Sequence, residues 1–522
     1  MFWSDRFAKQ IINSGQYKPY WVDDMKTPSG RIHVGALRGV IVHDLLYKAL
    51  SHRGVKVAFS YVINDMDPMD AFPTYLDGKF RKYMGFPLFK IPSPNKGFNN
   101  FGQYHAQEFI DVFDQLGAKP KIFWSSQMYQ QGKFNKVIKE ALDNQDKIRQ
   151  LYKEVSGYNK PENWYPFQVI CPKCGKVGTT VVDGWDGQEV NFVCQKDLVD
   201  WAEGCGSQGK ISPFDGHGKL MWKVDWAAHW KVLGITIEAA GKDHFSAGGS
   251  RDLSGAISEK VFHYPLPFGF SYEFFLVGGR KMSSSKGLGS SAKEVAELLP
   301  PEILRFLMTK TPYRKAIDFD PGGNTIPNLF DEYDSYAGEW FIKDRNSDRG
   351  RIFELSQVDT PPEKALFLPR FRDVANYIQM SNVDLIKHFE QEKGARLTPC
   401  EKAILDERIK YAKIWLDGYA PDELRFQVMT KDQFAKVNIG FSKEQKKYLE
   451  AVRELIKQRK WRPQELQSRL YELAKKLKIS SQKAFQAIYL SLIGKTHGPK
   501  AAWLILSQKK KFIIERLKEA TR

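Results

Sequence analysis

Residues 20–63 alternate between two short apolar runs and one helical pattern, and this alternation constrains the fold more than any other feature of the chain. The first run leads into a Thr27-Pro-Ser-Gly30 turn, after which apolar side chains recur at helical spacing over residues 37–50. Residues 56–63 form a second apolar run of the kind found in buried parallel strands. Strand, crossover helix and parallel strand predict an open α/β sheet, and residues 222–299 show a second, similar pattern.

The composition of the 522 residues is that of a globular protein with a basic C-terminal part. Hydrophobic residues make up 42% and charged residues 27%, which excludes wholesale disorder. We expect a cytoplasmic protein without a membrane segment, because no apolar run reaches the roughly 18 residues of a span and the N-terminal residues lack a secretory pattern. The net charge is +18, and residues 401–522 hold 28 Lys or Arg against 14 Asp or Glu. That block fits either a nucleic-acid footprint or a solvated helical surface.

Four of the five cysteines lie close together and predict a metal site rather than disulfides. Cys171 and Cys174 form a Cys-x-x-Cys-Gly knuckle, and Cys194 and Cys205 follow it. The two thiolates of the knuckle and two later thiolates complete a tetrahedral structural zinc site. The second pair is more widely spaced than in a compact zinc ribbon. His217 is therefore an alternative ligand, and reduced, metal-free cysteines are an alternative state.

A turn that runs through His33-Val-Gly-Ala36 into a helix predicts phosphate binding. Backbone N–H groups and the positive end of the helix dipole favour an anion at such a helix start. Gly30 and Gly35 allow a ligand to approach the backbone closely, and His33 can donate to a phosphate oxygen. A plain strand-to-helix turn is the alternative.

A second loop, over residues 278–287, carries Lys281 and Lys286 on either side of three serines. A glycine-bounded loop of this kind can close over a polyphosphate and bring positive charge to a reacting phosphorus. The alternative is a flexible basic surface loop.

Acids and aromatic residues follow the predicted strands. Asp65 comes after the strand that ends at residue 63, and Asp243-His244 comes after a strand-like run at residues 235–237. Tyr272-Glu273 interrupts an otherwise apolar run. Ligands of open α/β sheets bind beyond the carboxyl ends of the strands, and a cationic ligand needs a partly desolvated carboxylate. Each acid taken alone is also compatible with a helix cap or an ordinary surface position.

Taken together, these segments resemble the class I lysyl-tRNA synthetase family. His33-Val-Gly-Ala36 and Lys281-Met-Ser-Ser-Ser285 are similar to the HIGH and KMSKS motifs of class I aminoacyl-tRNA synthetases. Finer similarities to the lysine-specific family lie in Thr27-Pro-Ser-Gly30, Trp222-Lys-Val-Asp-Trp226, Ala240-Gly-Lys-Asp-His244, Gly248-Gly-Ser250 with Asp252, Tyr272-Glu-Phe274 and Lys483-Ala-Phe-Gln-Ala-Ile-Tyr-Leu490. The resemblance spans nearly the whole chain.

The resemblance implies a Rossmann-type α/β catalytic domain with a parallel sheet over residues 1–300, including an insertion at 93–165 and a zinc module at 166–215. Residues 301–360 would form a helical stem-contact or linker region, and residues 361–522 an all-α anticodon-binding domain. The implied reaction is ATP-dependent activation of L-lysine to lysyl-adenylate and transfer to tRNA(Lys). ATP as substrate, Mg²⁺ and a structural Zn²⁺ are implied with it, and we expect a monomer.

The resemblance also implies roles for individual side chains. The catalytic residues would be His33, Lys281 and Lys286. ATP would be bound by Gly30, Gly35, Asp243, Gly248, Gly249, Ser250, Asp252, Met282 and Ser283. The lysine pocket would be formed by Asp65, Trp222, His244, Tyr272 and Glu273, with Glu273 as the partner of the ε-ammonium group.

Two positions depart from the family pattern. Ala36 stands where relatives usually carry a polar residue such as Asn. Asp23-Asp-Met-Lys26 stands where they place a small residue and glycine, so either Met25 crowds the site or the backbone runs differently. Two alternatives remain: another class I synthetase of glutamyl type, because such enzymes share a helical anticodon domain, and a zinc-containing RNA-binding paralog with a decayed catalytic site, which these departures motivate. The acids of the pocket argue against the first, and the retained His33 and Lys281 against the second.

Overall fold

The computed structural model describes residues 1–278, 291–380, 383–437 and 439–522. The chain divides into two compact units. The first consists of Met1–Asp320 and Tyr336–Pro361, and the second of Pro321–Ser335 and Pro362–Arg522. Residues 301–360, expected from the sequence to form one region, are therefore shared between the two units.

The first unit contains the strands of the described chain. They are β1 (Tyr20–Lys26), β2 (Val57–Ile63), β3 (Lys121–Trp124), β4 (Phe167–Val169), β5 (Thr180–Trp185), β6 (Val190–Cys194), β7 (Gln208–Ile211), β8 (Gly218–Leu220), β9 (Ala240–Gly241), β10 (Ser271–Tyr272), β11 (Phe275–Val277) and β12 (Ile317–Phe319). Its α-helices are α1 (Trp3–Ser14), α2 (Val34–Ser51), α3 (Phe101–Gln115), α4 (Ser125–Gln130), α5 (Asn135–Asp143), α6 (Gln145–Ser156), α7 (Trp222–Leu233), α8 (Ser250–Lys260), α9 (Ala292–Ala296), α10 (Pro301–Lys310), the end of α11 (Thr325–Gly338) and α12 (Asp348–Ser356). Shorter helical segments are Gly78–Tyr83, Leu88–Lys90, Lys242–Phe245 and the π-helix Glu339–Lys343.

The central sheet is parallel. β1, β2 and β3 are neighbours in that order. On the other side of β1, Val22 pairs in parallel with Ile237, which in turn pairs in parallel with Phe268. The order of strands thus reverses at β1. In open α/β sheets, ligands bind beyond the carboxyl ends of the strands at such a switch point.

Helix α2, between β1 and β2, is buried over most of its circumference. Besides its apolar residues it buries Arg38 and Asp44. Arg38 donates to the backbone carbonyl oxygens of Pro312 and Lys315 at 3.0 and 2.7 Å. Asp44 accepts from the guanidinium of Arg305, which is also buried. A buried charge without partners would destabilise the fold, so the contacts of Arg38 and Asp44 hold α2 in one orientation behind the site.

The structure corrects the predicted insertion at residues 93–165. Strand β3 belongs to the central sheet, because it pairs in parallel with β2 from Ser60↔Lys121 to Ile63↔Trp124. Helix α3 lies in the connection between these two strands. With four residues, β3 is too short for a recognisable strand pattern in the sequence. After β3 and α4, helices α5 and α6 follow one another and are separated by Asn144.

The cysteine-containing segment folds as a small antiparallel module. β5, β6 and β7 form one antiparallel sheet, and β4 pairs with β8. This module is inserted between the two halves of the parallel sheet, and β8 leads directly into α7.

The second unit is helical, and no strand occurs among its described residues. Its helices are the start of α11, then α13 (Phe371–Tyr377), α14 (Leu385–Lys393), α15 (Pro399–Gly418), α16 (Lys431–Lys436), α17 (Lys443–Gln458), α18 (Pro463–Lys476), α19 (Ser481–Ile493), α20 (Ala501–Leu506) and α21 (Lys510–Thr521), with a short 3-10 segment at Asp422–Leu424. The predicted fold class, a parallel α/β part followed by an all-helical part, is confirmed. Among the described helices, none is both long enough and apolar enough to pass through a membrane.

Candidate functional site

A cavity of about 620 Å³ lies at the carboxyl ends of β1 and β2, at the switch point of the sheet. The turn before α2, the residues after β2, the start of α7 and the segments around β9 and β10 form its walls. Of the residues predicted for the site, His33, Gly35, Trp222, Asp243, His244 and Tyr272 line this cavity. Residues that are 239 positions apart in the chain therefore meet in one space.

His33 is the residue that precedes the first turn of α2. It forms a β-bridge with Ser291, and the N–H of Ala292 donates to the carbonyl oxygen of Ile32 at 2.8 Å. A Cβ atom on Gly35 would lie 2.8 Å from Nδ1 of His33, so any larger residue there would displace the imidazole. The turn thus combines a histidine, a close backbone approach and a helix N-terminus, which suits an anionic ligand.

Lys281, Met282, Ser283 and Lys286 lie outside the described residues. The described residues on both sides of this segment lie close to the first motif. Ser291 is paired with His33, and the carbonyl oxygen of Phe275 lies 3.7 Å from the Cβ position of Gly35.

Asp24 is a buried carboxylate that lines the cavity. Its Oδ1 accepts the N–H of Met25 at 2.8 Å, and its Oδ2 lies 3.5 Å from Nδ1 of His43. Nε2 of His43 accepts the N–H of Ala239 at 2.9 Å, so Nδ1 carries the proton and donates to the carbonyl oxygen of Gly39 at 2.7 Å. Burial raises the pKa of Asp24 to about 7 and lowers the pKa of His43. The histidine is therefore neutral and does not compensate the charge of Asp24.

Glu238 is a second buried carboxylate in the cavity wall, and its Oε2 is fully engaged. It accepts the indole N–H of Trp226 at 2.9 Å and that of Trp230. Nη1 of Arg251 lies 3.8 Å away. Burial raises the pKa of Glu238 to about 7. These contacts indicate a carboxylate that positions the aromatic wall.

A third acid, Asp67, joins three parts of the site. One oxygen accepts from the hydroxyl of Thr27 and the other pairs with Lys219. Lys219 also lies 3.6 Å from Asp225, which accepts from the hydroxyl of Tyr129. Burial alone would lower the pKa of Lys219, but the two aspartates raise it, so the ammonium stays charged. This network ties the turn before α2 to β8 of the cysteine module and to α7.

Aromatic rings form another side of the cavity. The ring centres of Trp222 and Trp226 are 6.3 Å apart, and the two rings are nearly parallel. The centre of the His244 ring lies 6.2 Å from that of Trp222 and 5.5 Å from that of Trp226. The hydroxyl of Tyr272 would lie only 2.5 Å from a Cβ atom on Gly39. Glycine at that position of α2 is thus required for the tyrosine to reach the cavity.

Two residues predicted for the lysine pocket do not line the cavity. Asp65 is buried. Its carboxylate accepts hydrogen bonds from the hydroxyls of Ser125 and Ser126 and from the N–H of Ser126, so it caps the start of α4. Both carboxylate oxygens of Glu273 contact Nζ of Lys242, at 3.0 and 2.7 Å. The sequence placed these acids correctly after strands, but it could not show that each carboxylate is already bound by neighbouring side chains.

Five of the residues predicted to bind ATP do not line the cavity. Gly30, Gly248, Gly249, Ser250 and Asp252 are absent from the described residues that line it. Gly248 has a φ of +68°, and its N–H donates to the carboxylate of Asp252 at 2.9 Å. The loop that contains Gly248 and Gly249 leads from Asp243 and His244, which do line the cavity, into α8.

The four cysteines of the antiparallel module converge. Their sulfur atoms all lie within 4.8 Å of one another, with Cys171–Cys205 and Cys174–Cys194 separations of 3.7 Å. A tetrahedral zinc site with Zn–S bonds of about 2.3 Å has sulfur–sulfur edges of about 3.8 Å, so this donor set fits the ion. His217, the alternative ligand, is exposed, and its Nδ1 lies 3.1 Å from the carbonyl oxygen of Ser212.

Sequence reasoning missed Asp24, Glu238, Trp226 and Lys219 as site residues. Asp24 sits near the carboxyl end of β1, and Glu238 follows the strand-like run at residues 235–237. The rule that ligands bind beyond the carboxyl ends of strands would have selected both acids. Lys219 had no such signal, because it reaches the cavity from the inserted module.

Comparison with known proteins agrees with this architecture. The family model described as "tRNA synthetases class I (K)" matches residues 1–359, and the model "Anticodon binding domain" matches residues 405–521. The curated lysine–tRNA ligase of Archaeoglobus fulgidus is 32% identical over 100% of both chains. That of Picrophilus torridus is 31% identical over 99% of this chain and 98% of its own, and that of Thermoplasma volcanium is 32% identical over 99% of each. The chain belongs to the class I (K) family of tRNA synthetases, which confirms the resemblance inferred from the motifs.

Proposed function

We propose that this chain activates L-lysine with ATP and transfers the lysyl group to tRNA(Lys). The observation that carries the proposal is that one cavity joins the His33 turn to a wall of buried carboxylates. Membership of the family and the full-length similarity to lysine–tRNA ligases support it. The anticodon-binding model over residues 405–521 supports a tRNA as the acceptor.

The reaction has two displacement steps. A carboxylate oxygen of lysine attacks the α-phosphorus of ATP, and pyrophosphate leaves. The 2′-hydroxyl of the terminal adenosine of tRNA then attacks the carbonyl carbon of lysyl-adenylate, and AMP leaves. Neither step needs a covalent enzyme nucleophile, so catalysis rests on positioning and on stabilising negative charge at phosphorus.

The phosphates of ATP bind at the turn before α2. His33 and the backbone N–H groups of the first helical turn contact them, and Gly30 and Gly35 permit the close approach. Lys281 and Lys286, with Met282 and Ser283, act from the second loop, whose flanks lie beside this turn. The adenosine lies toward Asp243, Gly248, Gly249, Ser250 and Asp252. Mg²⁺ accompanies the phosphates of ATP as their counter-ion.

Lysine binds against Asp24, which we assign as the partner of a substrate ammonium group in place of Glu273. Oδ2 of Asp24 lies 3.5 Å from Nδ1 of the neutral His43. Lys26 acts on Asp24 only through space, without forming an ion pair. A charge-assisted hydrogen bond in such a desolvated site is strong. The same buried carboxylates oppose an anionic substrate such as glutamate.

Aromatic residues complete the lysine pocket. Trp222, His244 and Tyr272 provide apolar surface for the methylene groups of the substrate, and a ring face is favourable beside an ammonium group. Met25 lines the same cavity, where relatives place a smaller residue, and it narrows the space left for the side chain.

Zinc in the cysteine module has a structural role. Cys171, Cys174, Cys194 and Cys205 would hold the ion and keep β5 to β7 in place. Because β8 belongs to this module and carries Lys219, the fold of the module affects the position of Lys219 against Asp67.

Lysine-dependent exchange of pyrophosphate into ATP, measured with and without tRNA, tests the proposal. We expect exchange that depends on lysine and not on glutamate. Exchange stimulated by glutamate alone would indicate a glutamyl-type enzyme. The absence of any exchange, with tRNA binding retained, would indicate an RNA-binding protein without activity.

A further inference from the structure

A cluster of aromatic rings and lysines lies at the surface beside the cavity, and its residues are Tyr152, Tyr158, Lys160, Trp164 and Lys223, which we call the rim cluster. Nζ of Lys160 lies 5.1 and 5.2 Å from the ring centres of Tyr152 and Trp164. Nζ of Lys223 lies 6.0 and 5.6 Å from the ring centres of Tyr152 and Tyr158. The two ammonium groups therefore share one tyrosine ring.

The two lysines have no carboxylate partner among the described residues. Within the part of the chain that the structure describes, both ammonium groups lie against ring faces, and neither forms an ion pair. Burial lowers the pKa of the Lys223 ammonium group, and Lys160 lowers it further as a like charge. Two cations held together without a counter-charge produce a positive potential that attracts an anion.

The rim cluster is continuous with the cavity. Nζ of Lys223 lies 5.7 Å from the ring centre of Trp222, which lines the cavity and packs beside Trp226. Tyr158 and Trp222 are 61% and 47% exposed as whole residues. Large aromatic rings exposed to this degree beside a deep site offer planar surfaces for stacking.

We propose that the rim cluster binds the single-stranded 3′ end of tRNA, with a base stacked on Tyr158 and phosphates beside Lys160 and Lys223. Exposed aromatic rings interleaved with unpaired cations are what an unpaired polynucleotide needs, since every base has a stacking face and every linkage a negative charge. A single-stranded end is also the part of the acceptor that must enter the cavity for its 2′-hydroxyl to react. The inference rests on the proposed function.

The backbone of this region is fixed on the side of the cavity. Helix α6 ends at Ser156, whose hydroxyl donates to the carbonyl oxygen of Gly248 at 2.9 Å. Gly157 takes a left-handed conformation, and the N–H of Tyr158 then donates to the carbonyl oxygen of Tyr152 at 3.1 Å. Tyr158 is therefore presented by a closed helix end rather than by a free loop.

Equilibrium binding of two RNAs tests this inference: intact tRNA(Lys) and the same tRNA without its single-stranded 3′ end. We expect Tyr158→Ala and Lys160→Ala each to weaken binding of the intact tRNA about tenfold. Binding of the shortened tRNA should be unchanged by either substitution. Lys9→Ala, at an exposed position of α1, is the matched control and should change neither affinity.

Tyr158→Phe keeps the stacking surface and should bind the intact tRNA as the unmodified chain does, which separates stacking from any loss of structure. Equal weakening for both RNAs, or no weakening for either, would overturn the inference. Lysine-dependent pyrophosphate exchange by the unmodified chain is measured in parallel. If exchange occurs while Tyr158→Ala leaves tRNA binding intact, only the rim cluster is wrong; if exchange is absent, the proposed function is wrong.

Discussion

Oδ2 of Asp24 lies 3.5 Å from Nδ1 of His43, and this contact joins the end of β1 to helix α2 at the edge of the cavity. Both ring nitrogens of His43 are already engaged by backbone groups, of Gly39 and of Ala239, so the ring stays neutral. Beyond the through-space effect of Lys26, the charge of Asp24 is thus left for a proton or a bound cation to neutralise. The first three predictions follow from this relationship.

Asp24→Asn should raise the KM for lysine by about tenfold to a hundredfold, because it removes a charge-assisted hydrogen bond to the substrate ammonium. The KM for ATP should change little. Pyrophosphate exchange at varied lysine and ATP concentrations measures both. Glu273→Gln is the control, since Glu273 pairs with Lys242 outside the cavity. A large increase in the KM for lysine in Glu273→Gln, with no increase in Asp24→Asn, would assign the ammonium partner to Glu273 instead.

The value of kcat/KM for lysine should rise with pH through about 7. Burial raises the pKa of Asp24 to about 7, so the carboxylate gains its charge in this range and then attracts the amine. A series of exchange assays from pH 6 to pH 8.5 measures the profile. In Asp24→Asn this rise should become shallower; an unchanged profile would mean that another group controls it.

The stability of the ligand-free protein should respond to pH in the opposite sense. In the unfolded chain an aspartate ionises near pH 4, so between about pH 4 and 7 the folded protein holds a proton on Asp24 that the unfolded chain has lost. The contribution of Asp24 to the free energy of unfolding therefore falls as the pH rises through this window. Asp24→Asn should raise the Tm at pH 8 and leave it nearly unchanged at pH 4. Equal shifts at both pH values would exclude this origin.

Removal of metal from the cysteine module should destabilise it. Cys194→Ser, or treatment with a strong zinc chelator, should lower the Tm by about 10 °C, because the four converging thiolates hold separate segments of the module together through the ion. Metal analysis should find one zinc ion per chain, lost in the variant. Cys400→Ser is the control, since Cys400 is exposed and lies in the other unit. Retention of zinc by Cys194→Ser would show that a different ligand set holds it.

Lys281→Ala should lower the turnover of lysine activation by about a hundredfold or more while the affinity for lysine changes little. A cation that stabilises charge in the transition state contributes to kcat rather than to ground-state binding of lysine. Single-turnover formation of lysyl-adenylate measures the effect. Unchanged turnover would exclude a catalytic role for this lysine.

Binding of tRNA should weaken steeply with added salt, because residues 401–522 carry an excess of 14 positive charges. Affinities measured between 50 and about 300 mM salt give the slope. A chain that ends near Leu366 should bind more weakly and show a smaller slope. Full affinity in that shortened chain would mean that the basic block is only a solvated surface.

Local patterns in the sequence were sufficient for the elements around the first motif. The helical spacing of residues 37–50 and the apolar run at residues 56–63 became α2 and β2 with nearly the expected bounds. These elements are long and strongly periodic, so local patterning and tertiary burial agree. The same reasoning failed for β3, whose four residues acquire strand structure only by pairing with β2.

In the candidate site, too, local sequence patterns predicted some features and only the folded chain revealed others. His33, Gly35 and the four cysteines were identifiable from spacing, because each group acts through neighbours that are close in the chain. Asp65 and Glu273 were assigned to the pocket for the same local reason, and their actual partners, Ser126 and Lys242, could be known only from the folded chain.

The sequence by itself determined the class of fold, the turn before α2 and the Cys-x-x-Cys knuckle, since these depend on periodicity and short spacing. It left Cys194, Cys205 and His217 open as the remaining metal ligands. The tertiary structure alone decided which carboxylates are free to meet a substrate. Asp24 and Glu273 look equivalent along the chain, yet one lines the cavity and the other is held by Lys242. A charge's availability depends on its burial and on its partners, and both are set by contacts between residues that are distant in sequence.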